Sequence, residues 1–368
     1  MSVEVVEVAL DRRRYGIHIG SGLLARAGSL IAPFAKGRRV VVVTDETVAR
    51  LHLPALARSL DGAGIAHADL TVPTGEASKD FAHFADLCER ILALGIERGT
   101  LILALGGGVV GDLAGFVAAS LLRGIDYVQI PTTLLAQVDS SVGGKTAINA
   151  AHGKNLVGAF HQPVLVIADV ATLATLPRRE LLAGYAEVVK YGLVRDRSFF
   201  EWLEREGANL CAGDAAALTH AVCESCRHKA VVVVADERET GERALLNFGH
   251  TFGHALEAET GFGRDLLHGE AVAAGMALAF ELSRKLGHAT AQSSERVRRH
   301  LAGVGLPAGL DGLANRRFDP DRLLAHMRHD KKVRDGKLTF ILARDIGDAF
   351  IARDVPEAAV QELLSGAG

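Results

Sequence analysis

Uninterrupted apolar runs alternate with helical stretches through the first half of the chain. Val40–Val43, Leu101–Leu105 and Val164–Ile167 are such runs, and none alternates apolar with polar residues as a half-exposed strand does. Strands of this kind are buried on both faces, which is typical of a parallel sheet covered by helices. Apolar residues at helical spacing between the runs, as in Phe81–Leu92, supply the crossovers that parallel strands require. The sequence therefore predicts an α/β domain with a mostly parallel, Rossmann-like sheet.

The pattern changes after Leu176-Pro177. From there to about Leu310 the apolar spacing is helical and strand signals are nearly absent. The β-branched run Val231–Val234 lies inside a helical stretch and remains ambiguous, and the short runs of Lys337–Val355 are assigned to neither class. We therefore predict two domains, an α/β domain over residues 1–176 and an all-α domain over residues 177–368.

Composition and charge exclude several classes of protein. The formal net charge of −3 gives no global reason to expect a nucleic-acid partner. Met1–Val8 lacks the basic start and apolar core of a signal peptide, and uncharged apolar runs such as Ala271–Phe280 are too short to span a bilayer. We therefore expect a cytoplasmic protein without a membrane partner. Cys223 and Cys226 form a lone pair, so they are predicted to pack as small hydrophobic residues.

Histidines mark the second half of the chain. His250 and His254 stand four residues apart in Asn247–Glu257, which reads as the start of a helix, so their imidazoles share one face. His268 follows at the start of another apolar helix. Neutral imidazole is the commonest side-chain ligand of transition metals, and the spaced pair is interpreted first as two ligands of one metal. The pattern His-Glu-x-x-His is absent, so a zincin-type protease is not supported.

A catalytic zinc site usually combines histidines with a carboxylate and keeps a coordination position open. Glu187 is the best candidate for this carboxylate, because it lies among apolar residues, where an unpaired charge would be costly. Glu257 and Glu270 lie close to the histidines in sequence. Spacing alone does not choose among these three carboxylates.

The glycine-rich stretch Gly106–Asp112 follows a predicted strand and opens a predicted helix. It matches Gly-x-Gly-x-x-Gly, in which glycines let the backbone approach a phosphate and free N–H groups at the helix start favour an anion. The motif follows a later strand than in the usual dinucleotide arrangement, and a tight turn without a ligand is the alternative. If NAD binds here, Asp45 at the end of an earlier strand is placed to reach a ribose and to favour NAD over NADP.

Pro131–Thr146 is rich in hydroxyl groups and glycines and ends in Gly-Lys-Thr. It is not a P-loop, because Asp139 stands where that motif requires its first glycine. Lys145 is therefore either a surface lysine or a point charge for an anionic ligand. Lys154 and Asn155 add a second lysine and an amide soon afterwards.

Together these motifs resemble the 3-dehydroquinate synthases, a family of sugar phosphate cyclases. The resemblance covers nearly the whole chain and is carried by Gly106–Asp112, Arg123-Gly124, Pro131–Asn149, Gly153–Pro163, Glu180–Gly192, Asp236–Glu257 and His268–Met276. It implies an N-terminal α/β domain that binds NAD and a helical C-terminal domain that binds one zinc or cobalt ion. The active site is expected in the cleft between them.

The resemblance also implies roles for individual residues. The metal ligands would be Glu187, His250 and His268, so that His254 faces the substrate instead. The NAD contacts would be Asp45, Thr74, Gly75, Glu76, Lys79, Gly108, Val109, Val110, Gly111, Asp112, Thr132, Thr133, Lys145, Lys154, Thr172 and Thr175. Substrate contacts and catalysis would fall on Asp139, Lys145, Asn155, Lys190, Lys229, Arg243, Asn247, His254 and one lysine of Lys331-Lys332, taken as Lys332. Arg123 would be lent to the neighbouring subunit's site, which implies a homodimer.

The implied reaction is the conversion of 3-deoxy-D-arabino-heptulosonate 7-phosphate to 3-dehydroquinate and phosphate, in the shikimate pathway. It comprises oxidation, β-elimination, reduction, ring opening and an intramolecular aldol, and His254 with Asn247 is the candidate pair for proton handling. Three alternatives remain: another sugar phosphate cyclase, a glycerol-dehydrogenase-like metal-dependent oxidoreductase, and a non-catalytic binding protein. The first is distinguished by the groups that face the substrate, and the second by net release of NADH.

Overall fold

The computed structural model describes residues 3–10, 13–35, 37–239, 241–261, 263, 265–313, 316–329 and 338–366. The described residues group into two units by their mutual contacts. The first unit comprises Met1–Pro177 and Leu218–Arg238, and the second comprises Arg178–Ala217 and Glu239–Gly368. The domains predicted from sequence differ from this grouping in two respects, because they assign Pro177 and Leu218–Arg238 to the second domain.

The described strands and helices are numbered in chain order. The strands are β1 (Glu4–Val8), β2 (Tyr15–Gly20), β3 (Val40–Asp45), β4 (His67–Val72), β5 (Leu101–Gly106), β6 (Asp126–Pro131), β7 (Lys145–Ala150), β8 (Gly153–Phe160), β9 (Leu165–Asp169), β10 (Phe340–Asp345) and β11 (Asp348–Ala352). The α-helices are α1 (Ala27–Ala35), α2 (Glu46–Gly62), α3 (Phe81–Ala93), α4 (Gly108–Ser120), α5 (Arg178–Arg195), α6 (Arg197–Cys211), α7 (Ala215–Ala235), α8 (His250–Glu259), α9 (His268–Lys285), α10 (Ala291–Val304), α11 (Pro320–His329) and α12 (Glu357–Gly366).

The first unit is built on a twisted sheet. Among the described residues, seven strands form it in the order β1-β2-β9-β6-β5-β3-β4. β1 and β2 pair antiparallel, and the other neighbouring pairs are parallel. β7 and β8 form a separate antiparallel hairpin. The mostly parallel α/β sheet predicted from the apolar runs is confirmed.

Both faces of this sheet are covered by helices. Val40 and Val42 of β3 belong to a buried cluster with residues of α1 and α2, whereas Val41 and Val43 belong to a cluster with residues of α3 and α4. Successive side chains of a strand point to opposite faces, so β3 contributes to both clusters, and β5 and β6 do the same. This explains why the sequences of these three strands show no polar alternation.

Helices dominate the second unit, as predicted. Residues Ala271–Phe280 of α9 are all buried, and many are small enough to let neighbouring helices approach closely. β10 and β11 form an antiparallel hairpin within the stretch that the sequence left unassigned. The helical character of the second domain is confirmed, and the hairpin is an addition to the all-α prediction. Among the described residues, no helix has both the length and the apolar character needed to cross a membrane.

The two neighbouring cysteines lie on α7. Cys223 and Cys226 are buried, free thiols, and burial raises the pKa of Cys223 to about 11. Cys226 Sγ donates to the main-chain oxygen of Gln137 at 3.3 Å. Both residues therefore pack as small hydrophobic side chains, as predicted.

A buried histidine makes the second unit sensitive to acid. Tyr185 Oη of α5 and His300 Nε2 of α10 lie 2.9 Å apart. Burial lowers the pKa of His300 from 6.5 to about 4, against a smaller opposing effect of Glu204. Between these pH values an unfolded chain takes up a proton at this histidine and the folded chain does not. The stability that the neutral His300 contributes to the fold is therefore fully present above about pH 6.5, and it is lost as the pH drops towards about 4.

When the pH falls from about 7 to about 4.5, the free energy of unfolding should decrease by about 2 kcal/mol less in His300→Gln than in the parent protein. Glutamine keeps an acceptor for the Tyr185 hydroxyl but does not titrate. Trp202, the single tryptophan of the sequence, lies on α6 in the same unit. Its fluorescence during urea unfolding measures the free energy of unfolding, and parallel pH profiles for the two proteins would contradict the lowered pKa.

Candidate active site

Side chains of metal-ligand type converge in the second unit. Glu187 comes from the buried middle of α5 and is 1% exposed, whereas His250 and His268 open α8 and α9. The Nε2 atoms of His250 and His268 lie 3.7 Å and 3.5 Å from Oε1 of Glu187. Ligands about 2.1 Å from a tetrahedral ion stand roughly 3.4 Å apart. The donor set and its spacing therefore fit a zinc or cobalt ion.

His254 lies outside this group. Within the described part of the chain, the group of three or more ligand-type residues whose ligand atoms all lie within 4.8 Å of one another consists of Glu187, His250 and His268. The ring centroid of His254 lies 5.4 Å from that of His250 and 6.3 Å from that of His268. The geometry thus favours the set implied by the family resemblance over the first interpretation of His250 and His254 as a ligand pair.

Hydrogen bonds turn both ligand-type imidazoles towards Glu187. Nδ1 of His250 lies 3.1 Å from the main-chain oxygen of Phe248, and Nδ1 of His268 lies 3.0 Å from Oε2 of Glu257. Each acceptor favours the tautomer in which Nδ1 carries the proton, which leaves the lone pair on Nε2. Both rings are therefore prepared to bind a metal through Nε2.

Glycines bring the three helices together. An added Cβ on Gly269 would lie 1.9 Å from the main-chain oxygen of Ala183, and one on Gly275 would lie 2.1 Å from that of Gly249. Gly249 itself has φ of 80°, a left-handed conformation that places His250 at the start of α8. The close approach of α5, α8 and α9 therefore requires glycine, and it brings the histidines to Glu187.

The charges around these residues favour a bound cation. Burial by itself lowers the pKa of His268, but hydrogen bonding to Glu187 and Glu257 outweighs it and raises the pKa to about 10. Lys190 on the next turn of α5 forms an ion pair with Glu187 and is 2% exposed. Carboxylates buried beside imidazoles stabilise positive charge, whether a proton or a metal ion supplies it.

Other predicted substrate contacts also lie in the second unit. Arg243 is 2% exposed and lies in the short helical turn Glu242–Asn247. Nδ2 of Asn247 donates to Oε1 of Glu239 at 2.9 Å, and Asn247 and His254 are half-buried. The unit thus holds buried cations, an amide and an imidazole close in sequence to the ligand-type residues.

Most of the predicted cofactor contacts follow strands of the first unit. The carboxyl ends of parallel strands meet at one edge of a sheet, where nucleotides bind in open α/β folds. Asp45 ends β3, Thr74 follows β4, Gly108 follows β5 and Thr132 follows β6. Oδ1 of Asp45 caps α2 by accepting from the main-chain nitrogen of Thr47 at 2.8 Å, and it also accepts from Thr74 Oγ1 at 3.0 Å. The loop after β4 is thereby tied to the end of β3.

The glycine-rich stretch opens α4 directly after β5. Gly108, Val109 and Val110 are the first residues of the helix, whose N–H groups have no acceptor within it. The N–H of Gly111 instead donates to the oxygen of Gly107 at 3.0 Å, and a Cβ on Gly111 would lie 2.7 Å from Gln129 Oε1. Gly111 therefore allows α4 to pack closely on β6, and its predicted contact with the cofactor stays a prediction.

Thr172 and Thr175, also predicted as cofactor contacts, make hydrogen bonds within the turn after β9. Thr172 Oγ1 donates to the oxygen of Asp169 at 2.7 Å, and Thr175 Oγ1 donates to the oxygen of Thr172 at 2.9 Å. Thr175 Oγ1 also lies 2.9 Å from Nε2 of His52. These contacts stabilise the turn after β9. Thr133, another predicted cofactor contact, lies after β6, and its Oγ1 accepts from the main-chain nitrogen of Ala136 at 3.2 Å.

One network joins residues that the sequence assigned to different roles. Lys79 is buried, forms an ion pair with Asp112 and donates to Oδ1 of Asn155. Burial raises the pKa of Asp112, against the opposing charge of Lys79. Nδ2 of Asn149 donates to Oε1 of Glu76 at 2.7 Å and so extends the network to the loop after β4. Predicted cofactor and substrate residues are thus adjacent in the first unit.

A second pair links α7 to the turn after β6. Nζ of Lys229 donates to Oδ1 of Asp139 at 2.7 Å and to its main-chain oxygen at 2.6 Å. Lys229 is buried, and it belongs to the part of α7 that groups with the first unit. The structure therefore places this predicted substrate contact with Asp139, Lys145 and Asn155 in the first unit.

Sequence comparison shows the family. The model of the 3-dehydroquinate synthase N-terminal region matches residues 69–183, and that of the C-terminal region matches residues 184–333. A 3-dehydroquinate synthase from Rhodospirillum rubrum is 60% identical over 366 residues, which is 99% of this chain and 94% of the relative. Another from Paracoccus denitrificans is 55% identical over 365 residues, covering 99% of both chains. The chain belongs to the 3-dehydroquinate synthase family.

Solved structures with the same fold are consistent with this family assignment. A 2-deoxy-scyllo-inosose synthase complexed with carbaglucose-6-phosphate, NAD+ and Co2+ has a TM-score of 0.87 at 26% identity, covering 99% of this chain and 100% of that one. The 2-epi-5-epi-valiolone synthase ValA from Streptomyces hygroscopicus, with NAD+ and Zn2+ bound, has a TM-score of 0.87 at 31% identity, covering 96% of each. A glycerol dehydrogenase from Schizosaccharomyces pombe, at 16% identity and a TM-score of 0.68 over 95% of this chain and 87% of that one, shares the fold alone.

Arg123 has an unusual backbone. Leu122 and Arg123 have φ of 49° and 71°, and Gly124 follows with φ of 115°. Consecutive left-handed residues other than glycine store strain, which is typical of functional positions. Arg123 is exposed, as the role implied for it in the 3-dehydroquinate synthase family requires.

The remaining predicted residues differ in how far they are described. Lys145 is exposed at the start of β7, and Lys154 is half-buried on β8. Lys332 and its neighbour Lys331 lie outside the described residues.

Sequence reasoning missed the partners of the ligand-type side chains in this 3-dehydroquinate synthase family member. Glu257 binds His268, and Phe248 holds His250 through its main-chain oxygen. A main-chain acceptor leaves no trace in a sequence. The position of Glu257 can be inferred from the sequence, because it stands seven residues after His250 and three after His254 and so lies on the same face of α8.

Proposed function

We propose that the protein converts 3-deoxy-D-arabino-heptulosonate 7-phosphate to 3-dehydroquinate and phosphate, as a carbon–oxygen lyase that eliminates phosphate. The observation that carries the proposal is the convergence of Glu187, His250 and His268 in a chain that is 60% identical to a 3-dehydroquinate synthase. Sugar phosphate cyclases with the same fold and bound NAD and metal support it.

The cofactors of the proposed reaction are NAD and one divalent ion, zinc or cobalt. Glu187, His250 and His268 would hold the metal, and Asp45, Thr74 and the first turn of α4 are the main candidates for NAD. When bound, the metal supplies Lewis acidity to a substrate hydroxyl, and NAD supplies a hydride acceptor that is restored within each turnover.

Cationic side chains suit the two anionic groups of the substrate. Of the cationic residues predicted to contact substrate, Lys190, Lys229 and Arg243 are buried and Lys145 is exposed. A lysine or arginine held away from water binds a carboxylate or phosphate more strongly than one on the surface. The ion pairs of Lys190 with Glu187 and of Lys229 with Asp139 hold these ammonium groups in fixed positions.

His254 and Asn247 are proposed to handle protons at the reacting carbons. Imidazole is the usual general acid and base of enzymes, and an amide can orient the hydroxyl or water through which the proton moves. His254 shares a face of α8 with the ligand His250, at 5.4 Å between ring centroids. It is therefore close to the proposed metal without belonging to its ligand set.

We also propose a homodimer in which Arg123 serves the neighbouring site. The strained, exposed turn of Leu122 and Arg123 supports this role. Light scattering tests it, since the mass in solution should be twice the 38.9 kDa of the chain.

Incubation with the heptulosonate phosphate and catalytic NAD tests the proposed function. We expect phosphate and 3-dehydroquinate in equal amounts, without net NADH, and loss of both products after metal removal by a chelator. Absence of phosphate release, or release that survives metal removal, would contradict the proposal. Net NADH from a polyol would instead support a glycerol-dehydrogenase-like oxidoreductase. Faster turnover of a sugar phosphate that lacks the carboxylate would support another cyclase.

A further inference from the structure

Glu257 lies beside the proposed metal ligands but has no assigned role. It is 5% exposed on α8, and its Oε2 lies 3.0 Å from Nδ1 of His268. Nε2 of His268 in turn faces Oε1 of Glu187 at 3.5 Å. We propose that Glu257 is a positioning residue that holds the ring of His268 and supplies negative charge to strengthen metal binding. This inference rests on the metal site of the proposed function.

The first part of this role is orientation. A carboxylate only accepts hydrogen bonds, so Nδ1 of His268 carries the proton that joins it to Glu257. The lone pair of the neutral imidazole then lies on Nε2, which is the atom turned towards Glu187. Without an acceptor at Nδ1 the ring could rotate or adopt the other tautomer. Loss of such an outer partner typically weakens metal binding by roughly 10- to 100-fold.

The second part is charge, and His250 provides the comparison. Nδ1 of His250 is held at 3.1 Å by the main-chain oxygen of Phe248, which is neutral. Glu257 performs the same orientation with a full negative charge in a buried place. A divalent ion held here would be balanced by two carboxylates, Glu187 and Glu257, whereas Lys190 adds positive charge beside Glu187. Removing the charge of Glu257 would therefore leave the buried ion less well compensated.

Backbone contacts at two glycines bring the helices together. Gly275 brings α9 against the backbone of α8 at Gly249, and Gly269 brings it against that of α5 at Ala183. These backbone contacts fix where α9 begins and so where the Cα of His268 lies. Glu257 is left to determine the direction of the ring. Its replacement should therefore affect metal binding more than folding.

Two variants separate orientation from charge. Glu257→Gln keeps an acceptor of the same reach and removes the charge, whereas Glu257→Ala removes both. We expect the zinc dissociation constant, measured at fixed pH by competition with a chromogenic chelator, to rise roughly 10-fold in the glutamine variant and roughly 100-fold in the alanine variant. The visible spectrum of the cobalt-loaded protein should change more in the alanine variant, because the ring of His268 turns.

Glu259→Gln is the matched control. Glu259 lies on the same helix, but its carboxylate contacts Arg322 at 3.1 Å and His326 at 3.0 Å. The zinc affinity of the Glu259→Gln variant should equal that of the parent protein. The metal-free Glu257 variants should have nearly the same unfolding temperature as the metal-free parent. If the alanine variant is unstable, the zinc dissociation constant of the glutamine variant alone tests the inference. Parent-like zinc affinity in the Glu257 variants would overturn this inference alone, whereas a parent protein that binds no zinc would overturn the proposed function with it.

Discussion

His250→Ala is expected to abolish stable metal binding and turnover together, whereas His254→Ala keeps the metal and loses turnover. Nε2 of His250 lies 3.7 Å from Glu187 Oε1 inside the ligand-type group, and His254 lies one helical turn further on. Structural zinc is bound by about 10–16 kcal/mol through four ligands, so one ligand contributes about 3 kcal/mol, or roughly 100-fold in affinity. Zinc content after gel filtration with a competing chelator measures the first effect, and phosphate release measures the second.

His326→Ala provides the control for these two variants. His326 lies on α11 and contacts Glu259 at 3.0 Å, so its loss should leave both zinc content and turnover unchanged. Equal zinc loss in the His250 and His254 variants would refute the ligand assignment. It would favour the interpretation of these histidines as a ligand pair.

The sheet of the first unit was predictable because its central strands, such as β3, β5 and β9, are buried on both faces and therefore have uninterrupted apolar sequences. The segment Val231–Val234 shows where this reading becomes ambiguous. Val232 and Val233 are buried, whereas Val231 is 58% and Val234 46% exposed, as on one face of the helix α7. Four β-branched residues favour a strand locally, and the packing of α7 overrides that preference. The sequence also does not reveal that Leu218–Arg238 groups with the first unit, since contacts between distant segments decide it.

The carboxylates near the histidines show what spacing can and cannot resolve. Glu187 was the best ligand candidate by sequence, but spacing alone did not exclude Glu257 and Glu270, and the structure gives each of the three a different environment. Glu187 faces both histidines, Glu257 holds Nδ1 of His268, and Oε1 of Glu270 accepts from Nε of Arg179 at 2.6 Å. Helical periodicity defines which residues share a face, but it does not define which helices meet. The family resemblance supplied that missing information for Glu187.

The helix contacts behind this arrangement make Gly269→Ala a severe substitution. A Cβ at this position would lie 1.9 Å from the oxygen of Ala183 and 2.4 Å from its carbonyl carbon. These are backbone atoms, so α5 and α9 must separate to admit the methyl group. We expect the free energy of unfolding to fall by more than about 3 kcal/mol, at the upper end for overpacked sites. Trp202 fluorescence in urea measures it on the metal-free protein.

The same separation should also weaken zinc binding, because Gly269 follows His268 directly and Ala183 stands one helical turn before Glu187. Gly303→Ala is the matched control, since Gly303 lies in α10 with nothing within 4 Å of an added Cβ. Alanine favours the helix there by roughly 0.5–1 kcal/mol, so this variant should gain stability and keep its zinc affinity. If Gly269→Ala behaved like Gly303→Ala in both measurements, the close contact of α5 and α9 would not be what holds His268 against Glu187.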